Sequence, residues 1–134
     1  MAEAAKIDGK SIAENLREKV AASVSKLKKL HNLTPGLAVV LVGTDPASSI
    51  YVRNKQKMTN DAGMKSVEHK LPADTTQNQL LTLIDGLNSD PTVHGILVQL
   101  PLPGQIDEQT VLAEIDYAKD VDGFHLFNAG KLAT

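Results

Sequence analysis

The chain has 134 residues, 42% of them hydrophobic, and a formal net charge of −2, enough apolar residues for one domain with its own core and no basic footprint for nucleic acid. The absence of cysteine excludes a disulfide framework, a thiolate metal site and a thiol nucleophile, and points to an intracellular or redox-indifferent setting. No apolar run reaches membrane-spanning length, and Met1 to Asp8 is short and carries Glu3, unlike a signal or transit peptide.

From Gly9 to about Asn32, Ile12, Leu16, Val20, Val24, Leu27 and Leu30 recur every three or four residues among Lys and Glu, which predicts an amphipathic helix. Thr34-Pro35-Gly36 ends it. Leu37 to Val42 is a continuous β-branched, apolar run, the pattern of a strand covered on both faces and therefore of a parallel sheet. Next comes a helix-start signal: Asp45 suits the N-cap, Pro46 the first helical position and Gly63 the position just past the end, so a helix is expected from Pro46 to Ala62. Its N-terminus follows the carboxyl end of the preceding strand, the edge at which ligands bind in open α/β sheets.

On that helix Ser48, Tyr51, Lys55, Met58 and Ala62 fall within an arc of roughly 80°, with Arg53, Lys57 and Asn60 opposite. An ammonium on such a stripe must snorkel outward, pair with a carboxylate, or belong to a site. Spacing alone favours a snorkelling surface lysine over a functional one. Tyr51 and Ser48 favour the site, since they add a ring and a hydroxyl to the same face in a chain with only two Tyr and two Phe. A lysine that loses part of its hydration gives up its proton more readily and can serve as a general base.

Lys65 to Leu71 alternates, with Val67, His69 and Leu71 on one side, and reads as a strand nearer the sheet edge. Thr76 with Gln79 forms a capping box ahead of Leu80, Leu83, Ile84 and Leu87, a helix that ends at Asn88-Ser89-Asp90-Pro91. Gly95 to Leu100 is a second buried strand, running into Pro101-Leu102-Pro103-Gly104. Glu108 to Ile115 is a short helix with Val111, Leu112 and Ile115 inward, and the last ten residues show no clear element. The alternation of strands and helices predicts an α/β fold, a three-layer α-β-α domain around a mostly parallel sheet with right-handed crossovers.

Gln99 is a polar side chain at the carboxyl end of an apolar strand. It either emerges into solvent there or reaches the Lys55 amine and fixes its rotamer. Asp120 and Asp122, followed by Gly123, have the spacing of a turn; as a metal site they are poor, having no further ligand at suitable spacing, but a fixed carboxylate there suits two N–H groups of a planar heterocycle. His31, His69, His94 and His125 are scattered and take no catalytic role, with His125 near the Asp122 loop. The nine glycines form no G-x-G-x-x-G, so no dinucleotide site is expected within this chain.

Taken in order, Ile7-Asp8-Gly9-Lys10, Asp45-Pro46-Ala47-Ser48 with Tyr51-Val52-x-x-Lys55, Gly95-Ile96-Leu97-Val98-Gln99-Leu100-Pro101-Leu102-Pro103 and Lys119-Asp120-Val121-Asp122-Gly123-Phe124 resemble the catalytic domain of bifunctional methylenetetrahydrofolate dehydrogenase/cyclohydrolases. The resemblance implies oxidation of 5,10-methylenetetrahydrofolate with NADP, less often NAD, and hydrolysis of the methenyl product to 10-formyltetrahydrofolate. It implies that Lys55 is the catalytic lysine, Gln99 its partner, Tyr51 the ring that stacks on the folate aminobenzoyl group, Asp122 the carboxylate that holds the pterin-like ring, and Ser48 a serine near the same site. It further implies a cytoplasmic enzyme of one-carbon metabolism, a homodimer when full length, with no nucleic-acid or membrane partner. The family continues into a Rossmann domain that holds the nicotinamide cofactor and a C-terminal helix that returns to the catalytic domain; neither is in this chain. The alternative reading is a non-catalytic folate-binding or regulatory module that kept the fold. A receiver-like signalling domain would need clustered acids after the first strand, where Gly43-Thr44-Asp45 supplies one.

Overall fold

The computed structural model describes residues 3–134. Its elements in chain order are α1 (Gly9–His31), β1 (Gly36–Val42), α2 (Pro46–Asp61), β2 (Lys65–Leu71), α3 (Gln77–Ser89), β3 (Gly95–Val98), α4 (Glu108–Glu114) and α5 (Leu126–Ala133). The three strands are parallel in the order β2-β1-β3, with Val40 of β1 opposite both His69 and Val98. The expected α/β architecture is therefore present, and β2 lies at the edge as its alternation suggested.

Because successive side chains of a strand point to opposite faces, β1 feeds two cores. Ala38, Val40 and Val42 join Ile96 and Val98 of β3, Leu80, Ile84 and Leu87 of α3, and Val111 with Ile115 at α4. Val39 and Leu41 join Leu97 and Val52 of α2 on the other side. The sheet is thus the middle of three layers, with α3 and α4 on one face and α2 on the other.

Local chemistry sets the helix ends. Asp45 caps α2 by accepting the Ser48 N–H at 2.8 Å, Ala62 is its C-cap, and Gly63 follows in the left-handed region at φ +86°. At α3 both halves of the Thr76/Gln79 capping box are made.

Four expectations need correction. The α1 helix forms where its periodicity placed it, but of the six positions on its stripe only Val24 is buried, with Leu16 61% and Leu30 74% exposed. On α2 the buried residues are Ser48, Val52 and Thr59, with Ala62 buried just past its end, so the inward stripe is rotated from the expected one, leaving Tyr51 and Met58 outside. Strand β3 stops at Val98; the Gln99 N–H still donates to the Val40 carbonyl at 2.9 Å, after which Pro101, with no N–H, leads the chain out of the sheet. The final residues are helical: the His125 side chain accepts the Phe127 N–H and starts α5, none of whose residues is buried.

Candidate active site

The carboxyl edge of the sheet gathers three of the expected residues. Side chains of a helix lean toward its N-terminus, so Lys55, in the middle of α2, reaches back toward the edge where Gln99 follows β3. The Lys55 Nζ donates to Gln99 Oε1 at 3.0 Å. Gln99 Nε2 in turn donates to the Leu100 carbonyl at 3.0 Å, which leaves the amide oxygen for Lys55. Asp122 lies across from this pair: Lys55, Val98, Gln99, Leu100, Asp122 and Phe124 line one cavity of about 230 Å³. Beneath Lys55, the buried Thr59 hydroxyl donates to the Lys55 carbonyl at 2.7 Å.

This arrangement has specific chemical properties. Lys55 forms no ion pair among the described residues, and its hydrogen-bond acceptor is a neutral carbonyl. Such an acceptor orients the amine whether or not it carries the third proton, whereas a carboxylate would favour the charged form. An aromatic ring, two apolar residues and a carboxylate complete the wall.

Ser48 and Tyr51 do not line this cavity. Ser48 is buried in the first turn of α2, and its N–H, and with it its hydroxyl, holds the Asp45 carboxyl below the ordinary value. Tyr51 is 60% exposed, one turn before Lys55, so its ring is free to meet a ligand extending beyond the cavity. Sequence reasoning overlooked Phe124. The signal was present, since one of the chain's two phenylalanines stands two residues after Asp122 beyond a glycine.

Asp120 does more than shape a turn. Its Oδ2 accepts from the His125 N–H at 2.9 Å and from Asn128 Nδ2 at 3.0 Å. Burial raises its pKa, but the bonds from Asn128 and from the N–H groups of His125, Phe124 and Gly123 outweigh burial and hold the carboxyl below its ordinary value.

The residues present do not fit the pyrophosphate of a dinucleotide. The N-terminal amides that would hold it are covered by the chain's own side chains: Asp8 at α1, Asp45 at α2, Thr76 at α3, Asp107 at α4 and His125 at α5. Three of these caps are carboxylates, which would repel a phosphate. Among the described residues, no three His, Asp or Glu side chains converge as a metal site, and no helix is long and apolar enough to cross a membrane.

Comparison with known proteins identifies the family. The family model described as tetrahydrofolate dehydrogenase/cyclohydrolase, catalytic domain, matches residues 7–122. The chain is 62% identical over 133 residues to the bifunctional protein FolD of Rhodospirillum centenum, covering 99% of this chain and 44% of that protein. It is 63% identical over 127 residues to the FolD protein of Nitrobacter winogradskyi, covering 95% of this chain and 43% of the relative. Among solved structures, the Campylobacter jejuni FolD methylenetetrahydrofolate dehydrogenase/cyclohydrolase superposes with a TM-score of 0.91 at 46% identity, over 93% of this chain and 44% of that one. The Trypanosoma brucei enzyme, solved with NADP cofactor and an inhibitor, superposes with a TM-score of 0.92 at 34% identity, over 98% of this chain and 45% of that one. The chain thus spans less than half the length of these relatives, and across the part it spans, it belongs to the tetrahydrofolate dehydrogenase/cyclohydrolase catalytic-domain family.

Proposed function

We propose that this chain is the substrate-binding, lysine-bearing part of a two-domain enzyme that oxidises 5,10-methylenetetrahydrofolate to the methenyl compound with NADP and hydrolyses that compound to 10-formyltetrahydrofolate. The observation that carries this reading is the Lys55–Gln99 contact at 3.0 Å beside Asp122 in one cavity. In this reading Asp122 accepts the ring N–H and exocyclic amine of the pterin-like ring, and the exposed Tyr51 stacks on the aminobenzoyl group beyond. Ser48 keeps the start of α2, and through it the helix carrying Lys55, in place.

The methenyl substrate is a planar, cationic N–C–N unit. Water adds to its carbon, Lys55 accepts a proton from that water, and the hydroxyl adduct breaks its bond to N5 as the proton is returned to that nitrogen. The carbon remains on N10 as a formyl group, and one proton is released overall. Gln99 holds the amine on the side of the attacked carbon. NADP supplies the hydride acceptor of the oxidation. Since the residues here do not fit it, its binding is assigned to the other domain of that enzyme; the proposed assembly is a homodimer and the proposed setting is cytoplasmic.

The test is Lys55→Met in the protein as its coding sequence encodes it. Hydrolysis of methenyltetrahydrofolate should be abolished while tetrahydrofolate binding stays measurable. Hydrolysis at the wild-type rate would overturn the assignment.

A further inference from the structure

We propose that the Asp120 carboxylate is a positioning residue of the folate site, the charged anchor on which residues 120–128 close so that Asp122 and Phe124 stand opposite Lys55. This rests on the folate-site reading above and extends it to a residue that does not line the cavity.

Asp122 has no hold of its own, since its carboxylate makes no hydrogen bond or ion pair among the described residues. Its position is inherited from the backbone on either side. Upstream, that backbone is fastened to the sheet: the Ile96 N–H donates to the Lys119 carbonyl at 2.7 Å, and Asp120 bridges to Ile96 in parallel fashion. Downstream it is held through the Asp120 carboxylate and through Asn128. One oxygen, Oδ2, takes both the His125 N–H and the Asn128 amide, and the same Asn128 nitrogen donates to the Tyr117 carbonyl at 2.8 Å. Between the two fastenings the chain reverses at Gly123, in the left-handed region at φ +71°. The carboxylate therefore closes a loop whose two outward side chains, Asp122 and Phe124, are those that reach the cavity.

The anchor draws on the negative charge of its acceptor. Asparagine in its place keeps an acceptor oxygen but loses the negative charge, so the charge-assisted bonds from the His125 N–H and the Asn128 amide become weaker, neutral ones. The closure of the loop is loosened to the same degree.

The test compares wild type, Asp120→Asn, Asp122→Asn and the double variant by tetrahydrofolate titration in the full-length protein, with KM and kcat for methenyl hydrolysis alongside. Asp122→Asn should weaken binding at least about tenfold, and Asp120→Asn by about fivefold or more, in KM rather than kcat. The double variant should bind within about twofold of Asp122→Asn, because an anchor that works through Asp122 has nothing left to place. A general loosening of the fold would instead lower kcat, and its losses would multiply with those of Asp122→Asn. Multiplying losses, or wild-type affinity in Asp120→Asn beside a weakened Asp122→Asn, would overturn the anchor alone. Wild-type affinity in Asp122→Asn would overturn the site reading and the anchor with it. Should Asp120→Asn not fold, Asn128→Ala carries the same comparison, with a smaller loss that vanishes in the Asp122→Asn background.

Discussion

The Lys55 amine donates to the Gln99 side-chain carbonyl at 3.0 Å across 44 residues of sequence, joining the second helix to the end of the third strand. The acceptor is neutral, and its own amide is committed to the Leu100 carbonyl, so it cannot turn a donor toward the lysine without losing that bond.

The first prediction follows from that neutrality. Gln99→Leu removes the acceptor and lets the lysine wander, and should lower methenyl hydrolysis by about 10²-fold, the low end of what a positioned acid–base group contributes. Gln99→Glu keeps the geometry but supplies a negative charge that favours the protonated amine. It should be at least as impaired near neutrality and recover at higher pH, where Gln99→Leu does not. pH–rate profiles of the two variants check this, and superimposable profiles would remove the argument from neutrality.

A second prediction concerns the cap of α2. The Ser48 N–H, and with it the Ser48 hydroxyl, holds the Asp45 carboxyl below its ordinary value of 3.8. A depressed carboxylate contributes stability that is present above the unfolded-state value and lost as pH falls through the lower folded value. Asp45→Ala should therefore melt below wild type at neutral pH, and the gap in Tm should close as the solution is acidified below 3.8. A gap that persists undiminished in acid would mean that the charge at the cap contributes nothing.

Periodicity told which residues of a helix share a face but not what covers that face. This is why α1 was legible as a helix while its half-empty stripe was not. On α2 the arc was weighted by apolar Tyr51 and Met58, whereas the helix turns Ser48, Val52 and Thr59 inward, the last with a hydroxyl satisfied by the Lys55 carbonyl. The sheet was legible because β1 is buried on both sides and reads as an unbroken apolar run. α5 was not, having eight residues, Gly130 inside and no buried face to impose a period. Within the site, Lys55 and Gln99 could be paired from their places on a helix face and at a strand end. The anchoring of Asp120 depends on Asn128 eight residues on and could not be read from a two-aspartate turn.

A third prediction tests the clamp at the end of α3. Lys119 Nζ donates to the carbonyls of Leu87, Asn88 and Asp90 at 2.7–3.0 Å, satisfying the end of that helix with a cation where the helix dipole favours one. Lys119→Met retains the stem and leaves those carbonyls without the ammonium. The expected cost is about 2–3 kcal/mol of unfolding free energy, measured by urea titration; a loss below about 0.5 kcal/mol would show that water replaces the ammonium freely.

The last prediction separates two glycines that flank the same edge of the sheet. A Cβ on Gly36 would collide with the Thr92 carbonyl oxygen and stand 3.3 Å from its carbon, both backbone atoms that cannot turn aside. Gly36→Ala should therefore destabilise the fold by about 1–3 kcal/mol, as overpacking does, with any loss of folate binding following from unfolding. A Cβ on Gly95 would stand 2.6 Å from Val121 Cγ1 and 3.2 Å from Leu37 Cδ1. Val121 is 52% exposed and can move outward, but it sits between Asp120 and Asp122, so relieving the contact shifts the residues that define the site. Gly95→Ala should consequently keep its circular dichroism spectrum and most of its stability while losing about tenfold in folate affinity, or roughly 1.4 kcal/mol. Thermal melts and tetrahydrofolate titrations of both variants decide it. If Gly95→Ala binds folate as wild type does, Val121 yields without moving its neighbours, and the coupling between sheet edge and site loop is absent.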